Sequence, residues 1–248
     1  MICRLNVYQA VGRRLEMLFE NFDYLYVSFS GGKDSGVLLD LCVEYIRNHL
    51  PGRKLGVLHL DYEVQYRQTT DYVRRRLADD SDILEVYHCC VPFKVATCTS
   101  MFQSYWRPWE QSKRDQWVRE LPPGCYTEAD FDFYNENLWD YDFQLLFAPW
   151  LRKRKRCRRI CCLVGIRTQE SYNRWRAIYS EKNRRHFGPY KWVHRIDGCH
   201  YNAYPIYDWK TSDIWTANGK FGWYYNRLYD LYHQAGVALG RQRVASPF

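Results

Sequence analysis

Residues 24–35 read YLYVSFSGGKDS, and this stretch divides into two parts. The first part, residues 24–29, is a short apolar and aromatic run, which predicts a buried strand. The second part, residues 30–35, contains two consecutive glycines and leads into a run of apolar residues at helical spacing. A strand, a glycine-rich loop and a helix are therefore predicted to follow one another directly.

The loop of residues 30–35 contains the residue types that hold a phosphate group. Glycines let the backbone approach an anion, and the helix that follows presents N–H groups and the positive end of its dipole. Ser30 and Ser35 add hydroxyl donors, Lys33 adds a cation, and Asp34 could anchor a Mg²⁺ ion. A plain Gly-Gly turn is the alternative for the glycines alone. The GxxxxGKS or GxxxxGKT spacing of other phosphate loops is missing.

Outward from the loop, helices and strands alternate along the chain. Asp61 follows the second predicted strand, and it is a candidate contact for a ribose or a metal, with a strand-end turn residue as the alternative. Alternation with short connections predicts a mainly parallel sheet with right-handed crossovers, whose ligands bind at the carboxyl ends of the strands. The predicted helices cover residues 6–22, 35–50 and 64–77, and the predicted strands after the loop cover residues 54–60 and 83–88.

Residues 99–156 interrupt this alternation. They are rich in Trp and Tyr, turn acidic between residues 128 and 142, and become strongly basic from residue 152. We interpret them as a largely helical insertion within a single domain that spans residues 1–248. The later pattern predicts a strand at 160–166, a helix at 168–179, a hairpin at 191–206 and closing helices at 211–215 and 223–234.

Two arginines follow the predicted strand at residues 160–166. Arg167 comes directly after that strand, so it should emerge at the same sheet edge as the glycine-rich loop. Arg174 lies about two helical turns further on, so both side chains could face one ligand. Guanidinium groups suit phosphate or sulfate because they donate two parallel hydrogen bonds. The alternative is that both are solvated helix arginines.

Composition limits the classes of function that remain. The net charge of +8 favours anionic ligands, either the phosphates of a small molecule or a nucleic-acid backbone. No apolar run approaches the ~20 residues needed to span a bilayer, and the N-terminus lacks the apolar region of a signal peptide. We therefore expect a cytoplasmic protein without membrane association. The ten cysteines show no regular disulfide spacing, so reduced thiols are expected.

Four segments together resemble one known family. SFSGGKDS at residues 28–35 resembles the PP-loop of the adenine-nucleotide α-hydrolase group. Leu60-Asp61 followed by TTDYV at residues 69–73, GIRTQESYNR at 165–174 and PIYDWKTSDIW at 205–215 resemble, in the right order, motifs of the phosphoadenosine phosphosulfate reductase family within that group. The resemblance implies an α/β, Rossmann-like PP-loop fold with a mainly parallel sheet flanked by helices.

The resemblance also implies a ligand and a reaction. The ligand is an adenine nucleotide, either ATP or phosphoadenosine phosphosulfate, together with Mg²⁺. The chemistry of the group is cleavage of ATP between its α- and β-phosphates, which gives pyrophosphate and AMP or an adenylate. Lys33 and Asp34 are the predicted catalytic residues, and Asp34 is also the predicted metal ligand. The predicted nucleotide-binding residues are Ser28, Ser30, Gly31, Gly32, Lys33, Asp34, Ser35, Asp61, Arg167 and Arg174.

Two alternative functions stay open. Reductases of this family use a cysteine in a tail motif resembling E-C-G-x-H, and this sequence reaches Phe248 without one. Binding of phosphoadenosine phosphosulfate without its reduction is therefore one alternative. The other is a nucleotide-sensing regulatory protein without turnover, because the resemblance extends to a reductase-like branch of gene-expression co-activators with ParB-like partners.

A basic run gives the regulatory alternative a candidate surface for nucleic acid. Its other interpretation is a solvated segment that neutralises the acidic stretch before it. The residues of the run are Arg152, Lys153, Arg154, Lys155 and Arg156.

Overall fold

The computed structural model describes residues 5–97, 101–179 and 185–244. Most of its strands belong to one large sheet, and the remaining two form a small separate pair. The strands are β1 (Tyr24–Ser28), β2 (Leu55–Leu60), β3 (Leu84–Cys89), β4 (Val95–Ala96), β5 (Tyr105–Trp106), β6 (Ile160–Val164), β7 (Arg185–Phe187), β8 (Tyr190–Arg195) and β9 (His200–Ala203).

The large sheet has seven strands in the order β3-β2-β1-β6-β9-β8-β7. In this order, β3, β2, β1, β6 and β9 run parallel to one another. At the far edge, β8 runs antiparallel to β9, and β7 runs antiparallel to β8. The predicted parallel sheet and the β8–β9 hairpin are confirmed, and β7 is an edge strand that the sequence pattern did not predict. Because β1 lies between β2 and β6, the loops after these three strands meet at one edge of the sheet.

The helices pack on both faces of this sheet. Among the predicted helices, the one expected from residue 64 begins later, and the one expected at 168–179 starts with a separate 3-10 turn, Thr168–Glu170. The closing helices are also placed differently, because the first is longer and the second starts later than predicted. The helices are α1 (Val7–Asn21), α2 (Lys33–His49), α3 (Arg67–Ala78), α4 (Asp140–Lys155), α5 (Tyr172–Tyr179), α6 (Thr211–Phe221) and α7 (Leu228–Gln234).

Strand β1 is buried on both faces, which explains its continuous apolar sequence. Leu25 and Val27 point into the core that α1 and α2 cover, whereas Tyr24 and Tyr26 point into a second core under α4. Successive side chains of a strand alternate between faces, so this one strand serves both cores. Burial on both sides fixes the position of the glycine-rich loop that follows.

The insertion is less regular than predicted. Its helical parts are α4 and two 3-10 turns, Gln111–Gln116 and Glu128–Asp130. Ahead of these parts in the chain, β5 pairs with β4, which lies just before the insertion. Several aromatic residues of the segment are buried, and Phe131, Phe143 and others form the core under α4. No helix in the described ranges is long and apolar enough to cross a membrane.

Candidate nucleotide site

The glycine-rich loop joins β1 to α2 and is braced by its own hydroxyl groups. Gly31 has φ +76, and a Cβ added there would lie 2.8 Å from Val73 Cγ2, so glycine is required on both grounds. The Ser35 hydroxyl donates to the Gly32 carbonyl at 3.1 Å, and the Ser30 amide donates to that hydroxyl at 3.2 Å. The loop therefore keeps one shape, with α2 starting at Lys33.

The closing segment of the chain clamps this loop from outside. Asn226, which is fully buried, donates through Nδ2 to the Gly31 carbonyl at 3.0 Å and to Thr69 Oγ1 at 2.9 Å. The Tyr229 hydroxyl accepts a hydrogen bond of 3.0 Å from the Lys33 amide, the first amide of α2. Sequence reasoning missed both residues, because neither belongs to a recognisable pattern.

Lys33, Asp34 and Arg167 form a buried chain of ion pairs at the start of α2. Lys33 Nζ lies 3.0 Å from Asp34 Oδ2, and Arg167 Nε lies 2.6 Å from Asp34 Oδ1. Only 1% of the Arg167 side chain is exposed. The segment after β6 reaches this position because Gly165 allows close approach, since an added Cβ would lie 3.0 Å from the Asp34 carbonyl carbon.

These contacts set the electrostatics of the loop. Burial lowers the pKa of the Lys33 ammonium, and the Asp34 carboxylate beside it acts in the opposite direction. The nearby Arg167 and Arg243 charges lower that pKa further. Cations outnumber carboxylates around the mouth of the loop, so an anion can approach there. The cations are Lys33, Arg167, Arg174 and Arg243, and the carboxylates are Asp34 and Glu170.

A cavity of about 470 Å³ opens beside the loop at the carboxyl edge of the sheet. Of the predicted nucleotide-binding residues, Ser28, Ser30, Gly32, Lys33, Asp34, Ser35 and Arg174 line it. The other lining residues are Leu60, Tyr62, Gln65, Val95, Asp140, Val164, Gly165, Ile166, Glu170, Tyr229, Gln242, Arg243 and Val244.

A smaller cavity of about 270 Å³ adjoins it on the far side of Lys33. Arg167 lines this smaller cavity rather than the larger one, and Arg243 lines both. Arg243 belongs to the closing segment and was not predicted. Arg174 is paired with Glu170, so it faces the larger cavity with its charge partly compensated.

The structure separates Asp61 from the nucleotide cavity. Its buried carboxylate contacts His88 Nε2 at 2.8 Å and Arg119, and it accepts from the Glu63 amide at 2.9 Å. Asp61, His88 and Arg119 line a third cavity, of about 730 Å³, on the α3 side of β2. Asp61 therefore does not line the 470 Å³ cavity, and a contact with ribose has no support from its position.

Asp34 is held on both of its oxygens, and this bears on its predicted role as a Mg²⁺ ligand. Lys33 contacts Oδ2 and Arg167 contacts Oδ1, so a metal ion would have to compete with one of two cations. As it stands, the carboxylate does not fit the role of a metal anchor, and this role stays a prediction.

The basic run lies in the last turn of α4 and at its end, away from the nucleotide cavity. Lys155 Nζ pairs with Glu85 at 2.5 Å, and Lys153 Nζ lies 3.6 Å from Asp132 in the acidic stretch. The Arg154 guanidinium lies 5.4 Å from the ring centre of Trp150. These contacts favour a solvated helix end that neutralises neighbouring acids, and binding of nucleic acid stays a prediction.

Comparison with known proteins agrees with this geometry. Residues 24–236 match the family described as the phosphoadenosine phosphosulfate reductase domain. The chain belongs to this family. One relative of this chain is uncharacterized protein YbdN of Escherichia coli (strain K12), which is 36% identical to it over 247 residues. The alignment covers 98% of this chain and 59% of YbdN, so the chain spans about three-fifths of that relative.

Two solved structures show the fold of this reductase-family domain. Candida glabrata FMN adenylyltransferase in complex with FAD and inorganic pyrophosphate superimposes with a TM-score of 0.50 at 14% identity, covering 90% of this chain and 60% of that one. The same enzyme in complex with FMN and the ATP analog AMPCPP superimposes with a TM-score of 0.50 at 13% sequence identity. The match covers 90% of this chain and 59% of that one. The predicted α/β fold is thereby confirmed, and the chain is an adenine-nucleotide α-hydrolase domain like those of phosphoadenosine phosphosulfate reductases.

Proposed function

We propose that this domain binds ATP in the 470 Å³ cavity and cleaves it between the α- and β-phosphates. The products are pyrophosphate and AMP, or an adenylate when an acceptor takes the place of water. The observation that carries the proposal is the buried Lys33 at the start of α2, ion-paired and facing that cavity. A helix start with an adjacent cation is a site for phosphate groups.

The reaction needs a positive charge where the leaving group develops negative charge. The attacking oxygen forms a bond to the α-phosphorus, the bond from that phosphorus to the bridging oxygen breaks, and pyrophosphate departs with the electron pair. Lys33 lies where its ammonium can stabilise that charge, and such preorganised charges supply a large part of many rate enhancements. Mg²⁺ bound with the nucleotide would neutralise part of the phosphate charge.

In this reaction Asp34 acts as a positioning residue for Lys33. Both of its oxygens are already paired with cations, which suits it to hold Lys33 in place. Arg167 in turn holds Asp34 from the protein side and is itself buried. The three side chains keep the ammonium fixed before ATP arrives, which avoids the cost of reorganising it during the reaction.

The test is incubation of the full chain with ATP labelled at the α-phosphate, in the presence of Mg²⁺, with separation of AMP from ADP. We expect AMP and pyrophosphate from the unchanged protein, and roughly 100- to 1000-fold less from Lys33→Ala. Lys113→Ala is the matched control, because this exposed lysine pairs with Glu110 and does not line the nucleotide cavity. Production of ADP alone, or equal rates in both lysine variants, would refute the proposal.

A second candidate is binding of phosphoadenosine phosphosulfate. The adjoining 270 Å³ cavity, lined by Lys33, Arg167 and Arg243, offers basic groups to a further anionic substituent. Titration with ATP and with phosphoadenosine phosphosulfate distinguishes the two ligands. Tighter binding of the second compound without AMP formation would favour this candidate. Tighter binding of ATP without turnover would favour the nucleotide-sensing regulatory function, with its nucleic-acid or ParB-like partner.

A further inference from the structure

A second polar site lies in the 730 Å³ cavity between α3 and residues 119–124. His59 and Asp61 come from the end of β2 and the residue after its last position, and His88 comes from β3. We call these three residues the histidine cluster. Each offers one nitrogen or oxygen atom, and the three atoms lie within 4.8 Å of one another. No residue of the cluster lines the nucleotide cavity.

His59 presents an unused lone pair inside the protein. Its side chain is 1% exposed, and Nδ1 lies 2.8 Å from the Phe29 carbonyl oxygen, to which it donates its proton. Nε2 is then deprotonated, and it has no hydrogen-bond partner in the described ranges. Metal-binding histidines typically donate their other ring N–H to a carbonyl in this way.

The other two residues lie beside the His59 ring. His59 and His88 are direct partners in the parallel β2–β3 register, with ring centres 5.1 Å apart. Asp61 Oδ2 lies 2.8 Å from His88 Nε2, and its other oxygen accepts from Arg119. Arg119 therefore holds the carboxylate from the outside, as an outer-shell partner of a ligating carboxylate does.

We propose that the histidine cluster binds a divalent transition metal ion, with Zn²⁺ as the probe ion, because two imidazoles and one carboxylate form a ligand set that zinc accepts. His59 Nε2, His88 Nε2 and Asp61 Oδ2 are the protein ligands. With Zn–N bonds of about 2.0–2.1 Å, tetrahedral ligand atoms lie about 3.3 Å apart. The three atoms lie within 4.8 Å of one another, so the side chains must close by up to about 1.5 Å, and the His88 Nε2 proton passes to solvent.

The position of the cluster defines the type of metal site. Three protein ligands leave a fourth coordination position, and the adjoining cavity gives this position access to water or a small ligand. Structural zinc sites are closed by four protein ligands, whereas catalytic sites keep one position open. The cluster therefore fits the open type. This inference is independent of the proposed ATP cleavage, because the two sites share none of their ligands.

Metal titration of the purified full chain tests this assignment. After treatment with a chelator, we expect one equivalent of Zn²⁺ to bind and to raise the melting temperature. His59→Gln and His88→Gln should each weaken binding by more than the roughly 100-fold that loss of an outer-shell partner can cost. His200→Gln is the matched control, because His200 is also buried but lies on β9 outside the cluster.

Co²⁺ in place of Zn²⁺ makes the test independent of variant folding. Nitrogen and oxygen ligands should give visible absorption bands without a strong thiolate-to-cobalt band in the near ultraviolet. A thiolate band would show that cysteines bind the ion and would overturn the assignment. Absence of metal binding by the unchanged protein, or unchanged affinity in both folded glutamine variants, would overturn it equally. Lys33→Ala should keep full zinc binding, so failure of the ATP proposal leaves this result unaffected.

Discussion

The glycine-rich loop and the histidine cluster lie at the same sheet edge but bury polar groups in different ways. In the loop, Lys33 and Arg167 enclose Asp34, so each buried charge has an opposite charge beside it. In the cluster, the His59 ring is neutral and keeps an unpartnered nitrogen, as far as the described residues show. Buried charges need partners, and an unmet lone pair costs free energy unless something binds it. The loop therefore offers positive charge to an anion, whereas the histidine cluster offers a lone pair to a cation.

The largest expected effect on stability comes from Arg167→Ala, which breaks the ion-pair chain of the loop. It leaves Asp34 buried with Lys33 as its remaining partner in the ion-pair chain, and breaking a buried pair costs about 3–5 kcal/mol. We expect the free energy of unfolding in urea to fall by that amount. Arg167→Lys should recover part of it, because lysine cannot reproduce the several contacts of the guanidinium.

Arg174→Ala is the control for that experiment. Arg174 is 40% exposed, and the buried Glu170 with which it pairs keeps Arg167 at 3.5 Å, so removal of Arg174 should cost about 1 kcal/mol or less. Arg167→Ala could also lower the free energy of unfolding by less than about 1 kcal/mol, as is usual for exposed ion pairs. That result would show that the buried ion-pair chain does not stabilise the fold.

Asn226→Ala tests whether the closing segment shapes the loop. The substitution leaves the Gly31 carbonyl and Thr69 hydroxyl without their buried donor, which costs about 1–3 kcal/mol. We also expect weaker ATP binding, measured by calorimetry, and unchanged zinc binding at the histidine cluster. Asn218→Ala is the control, because this buried amide bonds to Ile214 within α6. Equal ATP affinity in both variants would show that the clamp does not shape the site.

The loop was predictable because its signal is continuous in sequence. Residues 24–35 contain the strand, the glycines, the polar side chains and the start of the helix, so local chemistry identified them. The parallel direction of the central strands followed from alternation of elements, whereas their order did not, and a β8–β9 hairpin followed from Asp197-Gly198. Arg167 was placed correctly near the loop, although its neighbours turned out to be Asp34 and Thr211.

The remaining features depend on contacts between distant parts of the chain. Asn226 and Tyr229 reach the loop from about two hundred residues away, and nothing in their local sequence marks them. His59 and His88 look like ordinary members of apolar strands, and the β2–β3 register alone makes them partners. Asp61 sits at a strand end as expected, but its side chain turns to the α3 side of the sheet. Side-chain direction at a strand end is set by packing, which sequence spacing does not report.

The pH dependence of nucleotide binding should reveal the titration of the buried Lys33. Lys33 faces Asp34, Arg167, Arg243 and the ring of Tyr229, and its pKa lies below the usual lysine range. The protonated form attracts phosphate, so affinity should fall as pH rises through that lowered pKa, by up to about tenfold per unit. The pKa of Tyr229 is raised by burial, so this tyrosine stays neutral over the same range.

Lys33→Arg separates this titration from other effects of high pH. Arginine stays protonated, so the profile of its affinity for a non-hydrolysable ATP analogue should be flat where that of the unchanged protein declines. Parallel declines in the two proteins would assign the effect to another group.

The smallest expected effect comes from Tyr229→Phe, and its sign is informative. The Tyr229 hydroxyl accepts from the Lys33 amide, the first N–H of α2 and one that a phosphate oxygen would otherwise use. Removing the hydroxyl breaks its hydrogen bond with that amide, which is worth about 0.5–1.5 kcal/mol. The amide is then free to donate to a phosphate oxygen. ATP should then bind about 2- to 10-fold more tightly by calorimetry. Tyr225→Phe, whose hydroxyl donates to Asp230 outside the cavity, should leave the affinity unchanged. Weaker binding by Tyr229→Phe would mean that the hydroxyl itself contacts the nucleotide, so that the closing segment belongs to the binding site instead of competing with the ligand.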